Sequence, residues 1–361
     1  METVGNCAVA LTSKLVRIDS TTGSPNEREP LDLISHLFDA EDYTIGWGQN
    51  KMSLVVLPRR ASGQILLFSG HVDAVSFEQD EWSFSPVSGE VKDGKILGRG
   101  ASDMKSGVAA QVAAMKHAGP AAPVGLALST REEWGCAGSP DVITVLKDLQ
   151  ADVGAILVAE PTDGKLLLGH KGPLWLEVTI KGRSAHGSMP ELGENAILKA
   201  ASLALRAEEE MPRRTHWRLG KETMNVGIIQ GGTMRNIVPD RAVLNIDIRT
   251  VDEDVSPILS WWNGQPEVAS LRIVSKHAPV WTDPSDAWVS NLPLEPEAEP
   301  ATYGTEAAPL GVALGHPPTV IWGPGPRTNM HVVDESADCD DISLAAEQYM
   351  EAIRQWGRLS H

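Results

Sequence analysis

Gln64-Ile65-Leu66-Leu67-Phe68-Ser69-Gly70-His71-Val72-Asp73 is the stretch from which the fold can be read. Its apolar run lacks the polar alternation of a half-exposed strand, so this strand is covered on both faces. The run then stops at a histidine and an aspartate. Ser53–Leu57, Val124–Thr130 and Ala155–Ala159 are runs of the same kind. Ser106–His117 instead places apolar residues at 108, 109, 112 and 113, which is helical spacing. Strands alternating with helices predict a mostly parallel sheet. Val4–Ile18 also has helical spacing. Ser24-Pro25-Asn26-Glu27 predicts the start of a second helix, with a serine cap, proline at the first helical position and an acid three residues after the cap.

The middle of the chain reads differently. Leu174–Lys181 alternates like a half-buried strand, Glu194–Glu210 reads as a helix, and Met224–Gln230 and Arg241–Thr250 read as strands. A short helix in Asp252–Trp262 and a strand at Val268–His277 complete a β-α-β-β-α-β order, the ferredoxin-like split unit. Asp283–Pro300, rich in Pro and Glu, reads as a surface loop. A helix near Thr305–Leu314, a strand at Thr319–Trp322 and a helix from Asp341 to Gly357 then suit the first sheet. The expected fold class is α/β, a mixed and mostly parallel sheet domain with an inserted ferredoxin-like α+β domain. The expected boundaries are 1–172 and 279–361 for the first domain and 173–278 for the second. With 361 residues, a prior of about 150 residues per domain also gives about two.

Composition narrows the function classes. Hydrophobic residues at 42% and charged residues at 22% exclude a disordered chain and a coiled coil. No apolar run approaches the roughly 18 residues a membrane helix needs, so no membrane partner is expected. The net charge of −17 repels phosphate backbones, so no nucleic acid partner is expected either. Cys7, Cys136 and Cys339 form no disulfide framework, and Met1–Ala10 has no basic start of a secretory signal. Both point to a cytoplasmic protein.

The strands share one feature at their carboxyl ends. Gln64–Gly70 is followed by His71-Val72-Asp73, Val124–Thr130 by Arg131-Glu132-Glu133, and Ala155–Ala159 by Glu160. Thr319–Trp322 is followed by Gly323-Pro324-Gly325 and then His331, and Asp103 stands just before the 106–117 helix. In open α/β sheets, ligands bind beyond the carboxyl ends of the strands. Two histidines and several carboxylates therefore meet in one crevice, a donor set suited to a divalent metal and above all to zinc. Singly, each residue has a plainer reading: Asp103 as a helix cap, Glu132-Glu133 as a solvated pair, Glu160 as a loop acid. What marks a site is that all of them fall at one edge of one sheet.

Seven stretches carry a family resemblance. They are Ser69–Asp73, Gly98-Arg99-Gly100-Ala101-Ser102-Asp103-Met104-Lys105-Ser106-Gly107, Glu132-Glu133-Trp134-Gly135, Ala159-Glu160-Pro161, Ser184-Ala185-His186, Asn236-Ile237-Val238-Pro239-Asp240, and Gly323-Pro324-Gly325 followed by His331. In this order they resemble the zinc-dependent amidohydrolase and exopeptidase family of acetylornithine deacetylase, succinyl-diaminopimelate desuccinylase, glutamate carboxypeptidase and the aminoacylases. The resemblance covers the chain from about residue 10 onward. It implies that the inserted domain is a lid and dimerisation domain, and that the chain is a homodimer.

The resemblance also implies roles. His71, Asp103 and Glu160 would hold one zinc, and Asp103, Glu133 and His331 a second, with Asp103 bridging and cobalt an alternative metal. Asp73 would orient His71 through its free N–H. Zinc lowers the pKa of bound water toward about 7, and Glu132 would be the general base that passes the proton to the leaving nitrogen. His186, by residue type a loop histidine, would stabilise the oxyanion. The peptide after the bridging aspartate would be cis. Arg249, otherwise a strand-end surface arginine, would bind the substrate α-carboxylate, with Asn236 near the reacting carbonyl and Gly323 and Gly325 offering backbone N–H groups. Tyr303-Gly304-Thr305-Glu306-Ala307 resembles the acetylornithine deacetylase branch, with Glu306 facing a cationic side chain or serving as a helix N-terminal acid. The implied function is hydrolysis of a short N-acyl amino acid, acetylornithine first among candidates. A dipeptidase or carboxypeptidase acting on a peptide has the same catalytic set. A catalytically silent ligand-binding homologue is opposed by an intact Glu132 and all five ligands.

Overall fold

The computed structural model describes residues 2–359, which form two compact units. The first comprises the chain up to Gly169, Val280–Ala301 and the chain from Thr305 onward. The second comprises His170–Pro279 with Thr302–Gly304.

The first unit is built on a six-stranded sheet. Its strands are β1 (Tyr43–Trp47), β2 (Ser53–Pro58), β3 (Ile65–His71), β4 (Val124–Ser129), β5 (Val153–Val158) and the strand Thr319–Ile321. They lie in the order β1-β2-β4-β3-β5 and then Thr319–Ile321. β3 runs parallel to β4 and β5, and Thr319–Ile321 runs parallel to β5, whereas β1 and β2 pair antiparallel at one edge. Every residue of β3 and β4 is buried, as the unbroken apolar runs require. One face lies under α1 (Val4–Val16), α3 (Ser106–Ala118) and the C-terminal helix Cys339–Leu359, through Leu11, Leu15, Val108, Val112, Tyr349 and Ile353. The other face is covered by α4 (Ser139–Asp148) and the helix Ala307–Ala313, through Val142, Val145 and Leu310. The result is an α/β/α sandwich.

One start signal is misread. The second helix, α2, begins at Glu29 with Pro30 in its first turn, not at Ser24. Glu27 is buried, and its carboxylate accepts the Gly23 N–H at 3.0 Å instead of closing a capping box. Residues 24–28 form turns.

The second unit is a four-stranded antiparallel sheet of β6 (Gly172–Lys181), β7 (Thr223–Gly231), β8 (Arg241–Thr250) and β9 (Val268–Lys276), in the order β7-β8-β6-β9. Alternation is strict in β6 and β8: Leu174, Leu176, Val178, Ile180, Leu244, Ile246 and Ile248 face α5 (Ala196–Glu210) and α6 (Ser256–Asn263). Asn195 caps α5 by accepting the N–H groups of Ile197 and Leu198. The opposite sheet face carries Trp175, Glu177, Asn245, Asp247 and Arg249.

Candidate active site

β3, β4, β5 and Thr319–Ile321 end at one edge because they run parallel in register. His71 is the last residue of β3, Glu132 and Glu133 sit on the short turn after β4, and Glu160 follows β5 by two residues. Asp103 lies on a wide helical turn, Ala101–Lys105, that opens α3, and the Asp103–Met104 peptide is cis. Gly323 lets the loop with His331 pass close by: a Cβ there would stand 2.2 Å from the Ala159 carbonyl oxygen.

Five side chains converge. His71 Nε2 lies 3.3 Å from Asp103 Oδ1 and 3.7 Å from Glu160 Oε1. His331 Nε2 lies 3.1 Å from both Asp103 Oδ2 and Glu133 Oε2. Two groups result, His71-Asp103-Glu160 and Asp103-Glu133-His331, each with its donor atoms within 4.8 Å of one another and with Asp103 in both. His71, Asp103 and Glu160 are buried, whereas the His331 side chain is 51% exposed. Asp73 sits behind His71: its Oδ1 is 3.4 Å from Nδ1 and its backbone oxygen 3.1 Å away. Its carboxylate also accepts the N–H groups of Glu132 and Glu133 and the Thr22 hydroxyl. Asp73 thus anchors both the histidine and the Glu132-Glu133 turn.

The donor set fits divalent cations. Among the described residues no lysine or arginine pairs with Asp103, Glu132, Glu133 or Glu160, and buried Asp103 Oδ1 has no well-directed hydrogen bond. Crowded carboxylates without counter-charge perturb one another. Burial drives the Glu160 carboxyl well above its ordinary range, and the Asp103 charge adds to this. Desolvation pushes Glu132 up to about 8, with repulsion from Glu133 and Glu306. Hydrogen bonds to Asp103 and Glu133 hold His331 up to about 10. Burial opposes charge on His71, yet its contacts with Asp103 and Asp73 outweigh it and its pKa is raised. Protons here stand where positive charge is wanted.

Cys136, which the sequence did not single out, places its thiol 3.2 Å from Glu132 Oε1. Two expectations are corrected. Of the two readings of Glu306, the helix N-terminal acid holds and the cation-facing acid does not: it stands at the N-cap of the helix Ala307–Ala313, is 2% exposed, and its carboxylate accepts the hydroxyls of Ser129, Ser69 and Ser139. Those three serines, rather than a substrate cation, satisfy it. The Gly323 N–H is already given to Thr162 Oγ1 at 3.1 Å, so it is no free donor. Gly325 lies beside the Asp103 turn, where a Cβ would meet Ser102 Oγ at 2.7 Å.

The remaining residues lie on the second unit. Arg249 donates through Nε and Nη2 to Asp247 Oδ2, which leaves the Nη1 side of its fork open. Asp247 Oδ1 accepts the Trp175 indole N–H at 3.2 Å. His186 Nδ1 accepts the Ser188 N–H at 3.2 Å and touches its hydroxyl at 2.7 Å, which puts the ring proton on Nε2. His186 is bridged to Ile237, and Asn236 accepts the Gly187 N–H, so His186 and Asn236 share one corner.

The sequence profile of peptidase family M20/M25/M40 matches residues 67–355. The chain belongs to that family. It is a hydrolase of amide bonds. A probable succinyl-diaminopimelate desuccinylase from Staphylococcus epidermidis is 27% identical over 90% of this chain and 91% of its own length. An acetylornithine deacetylase from Pasteurella multocida is 26% identical over 88% and 87%. Among solved M20 structures, a metallo-carboxypeptidase from Sulfolobus solfataricus superposes with a TM-score of 0.76 at 16% identity, covering 97% of this chain and 99% of its own. A dinuclear-metal-binding peptidase from Bacillus subtilis gives 0.71 at 14%, covering 98% and 99%. That likeness is one of fold. No helix among the described residues is long and apolar enough to cross a membrane.

Proposed function

We propose that this chain is a two-metal hydrolase that removes a short acyl group from an N-acyl amino acid. The observation that carries this reading is the pair of ligand groups sharing Asp103, with Glu132 beside them and outside both. His71, Asp103 and Glu160 would hold one ion, Asp103, Glu133 and His331 the other, zinc or cobalt by donor chemistry. Bound there, divalent ions supply Lewis acidity for water and carbonyl. Glu132 takes the proton of the attacking water and hands it to the leaving nitrogen as the C–N bond breaks. His186, with its proton on Nε2, donates to the oxyanion. Arg249 grips the α-carboxylate with the open side of its fork, held in place by Asp247.

Geometry supports a homodimer. Arg241 and Arg249 stand eight residues apart on β8, roughly 26 Å at the rise of a strand. The His186–Asn236 corner adjoins the Arg241 end, and Arg249 pairs with Pro173 at the other. One substrate cannot span the two on one sheet, so the partner subunit's His186 completes each site. β7 is an unpaired edge with Ile228 and Ile229 exposed, beside α5 with Leu198 and Leu205 exposed, an apolar surface for a second copy. The relatives by sequence favour acyl amino acids over peptides. With Glu306 buried, no observation selects a cationic side chain. The test is a panel of N-acetyl and N-succinyl amino acids and dipeptides, assayed with Zn²⁺ or Co²⁺. Hydrolysis of acyl amino acids is expected. Cleavage of dipeptides alone would replace this reading with a peptidase, and a metal-loaded chain that cleaves nothing would replace it with a silent homologue.

A further inference from the structure

Glu335 takes no part in the hydrolysis derived above, yet it is fully buried. Its Oε1 accepts two successive backbone N–H groups, Ser102 at 2.9 Å and Asp103 at 3.0 Å, and its Oε2 accepts Arg99 Nη1 at 2.7 Å. Arg99, also buried, lies 4.9 Å from the ring centre of Trp82. The next residue, Ser83, gives its N–H and hydroxyl to Asp334 at 2.8 and 2.9 Å. A buried carboxylate is costly unless fully bonded, and a buried ion pair alone is often no better than apolar side chains of equal volume. What this carboxylate does that an apolar group cannot is hold the backbone of Asp103. Asp103 belongs to both ligand groups, and His331 lies only four residues before Glu335. Glu335 therefore ties the turn of the shared ligand to the loop of a second one, and Trp82-Ser83 braces the tie from outside.

We propose that Glu335 is the positioning residue of the shared ligand: it fixes the Asp103 backbone against the His331 loop, so both ion positions depend on a side chain outside either ligand group. The inference rests on the two-ion reading above. It has a signature that a residue of one ligand group alone lacks. Removing His331 strips one group, whereas loosening Asp103 loosens both.

The test uses the full chain stripped by a chelator and titrated with Zn²⁺ alone by calorimetry, then with Co²⁺ alone while its visible spectrum is recorded. Glu335→Gln keeps the volume but cannot offer acceptors both to Arg99 and to the two N–H groups. It is expected to bind about 10- to 100-fold more weakly at both positions, with an altered Co²⁺ spectrum and unchanged circular dichroism of the metal-free chain. His331→Ala is expected to weaken one position only. If Glu335→Gln binds both ions as the unmodified chain does, with the same Co²⁺ spectrum, the proposal is overturned. Should that variant not fold, Glu335→Asp keeps the charge on a shorter arm and decides in the same way. An unmodified chain that takes up neither ion removes the two-ion reading, and the proposal with it. An indistinguishable Glu335 variant removes the proposal alone.

Discussion

The two units hold their functional residues in opposite ways. In the first, residues as far apart in sequence as 103 and 331 bring donor atoms within 4.8 Å, and three of the five converging side chains are buried. The sheet enforces this, since parallel strands in register end together and their exits converge. In the second, His186 and Asn236 are exposed and stand at the far end of the sheet from Arg249. On the function proposed above, the first arrangement is complete once its unit folds, and the second works only against another surface. Chemistry and recognition therefore depend on different levels of structure, and substitutions separate them.

The largest effect should come from inside the completed arrangement. Glu132→Gln is expected to lose about 10³-fold or more in kcat, since general acid–base work contributes about 10²–10⁴. Both ions should stay, because Glu132 belongs to neither ligand group. Turnover and metal content measured on one preparation check this; normal turnover would sink the assigned base.

His186→Ala should cost about 10²–10³ in kcat, the usual worth of an oxyanion donor, with ion binding unchanged. The comparison predicts more than a loss. If the partner subunit's His186 serves each site, mixing His186→Ala with Glu132→Ala chains should restore activity. Random pairing makes half the dimers hybrids, each with one complete site, so about a quarter of sites recover. No recovery despite proven subunit exchange would return His186 to its own chain or remove it from the chemistry.

The same contrast explains what was legible in the sequence. The convergence of histidines and carboxylates at one edge was legible because apolar runs reveal strands and strand ends reveal an edge. Strand β6 could be placed because one covered face leaves alternation. Of Glu306 only the place at a helix N-terminus was legible: its partners Ser69, Ser129 and Ser139 come from three segments, and only packing brings them together. Ser24 misled because a box signature is local, while Glu27 is held by tertiary burial. The short strand Tyr43–Trp47 alternates Tyr43, Ile45 and Trp47 toward the core, but five residues are too short a run to stand out, and it pairs with β2. Cys136 and Glu335 left no periodic trace, since Cys136 matters through a single contact with Glu132 and Glu335 through bonds to Arg99, Ser102 and Asp103 that only folding assembles.

A smaller effect is expected at the recognition end. Esterifying the substrate α-carboxylate should cost roughly 30-fold in kcat/KM, the loss of one charge-assisted pair of about 2 kcal/mol. Arg249→Ala should cost as much on the free acid and erase the difference between acid and ester. Asp247→Asn should raise KM by less, because it loosens the fork without removing it. An unmodified chain that takes ester and acid alike would show that Arg249 is not the anchor.

The smallest effect per step is a pH dependence, and it shows how far the first unit's site is prepared for cations. In the metal-free chain His331 is held up to about 10 by Asp103 and Glu133. Its raised value means that at pH 7 the ring carries a proton which a ligand nitrogen must lose. Glu160 is pushed the same way by burial. Ion binding therefore releases protons, and apparent affinity falls about tenfold for each pH unit lowered per proton displaced. The sign reverses for the metal-free fold. A pKa raised on folding gives stability that is complete below the ordinary histidine value, near 6.5, and is lost as pH rises through about 10. Raising pH should thus strengthen Zn²⁺ binding while weakening the empty protein. Calorimetry of Zn²⁺ binding at pH 7, in two buffers of different ionisation enthalpy, counts the protons directly. At least one per pair of ions is expected. A count of zero would mean that the carboxylates and imidazoles stand there already deprotonated, and that the crowding seen in the first unit stores no charge for the ions to replace.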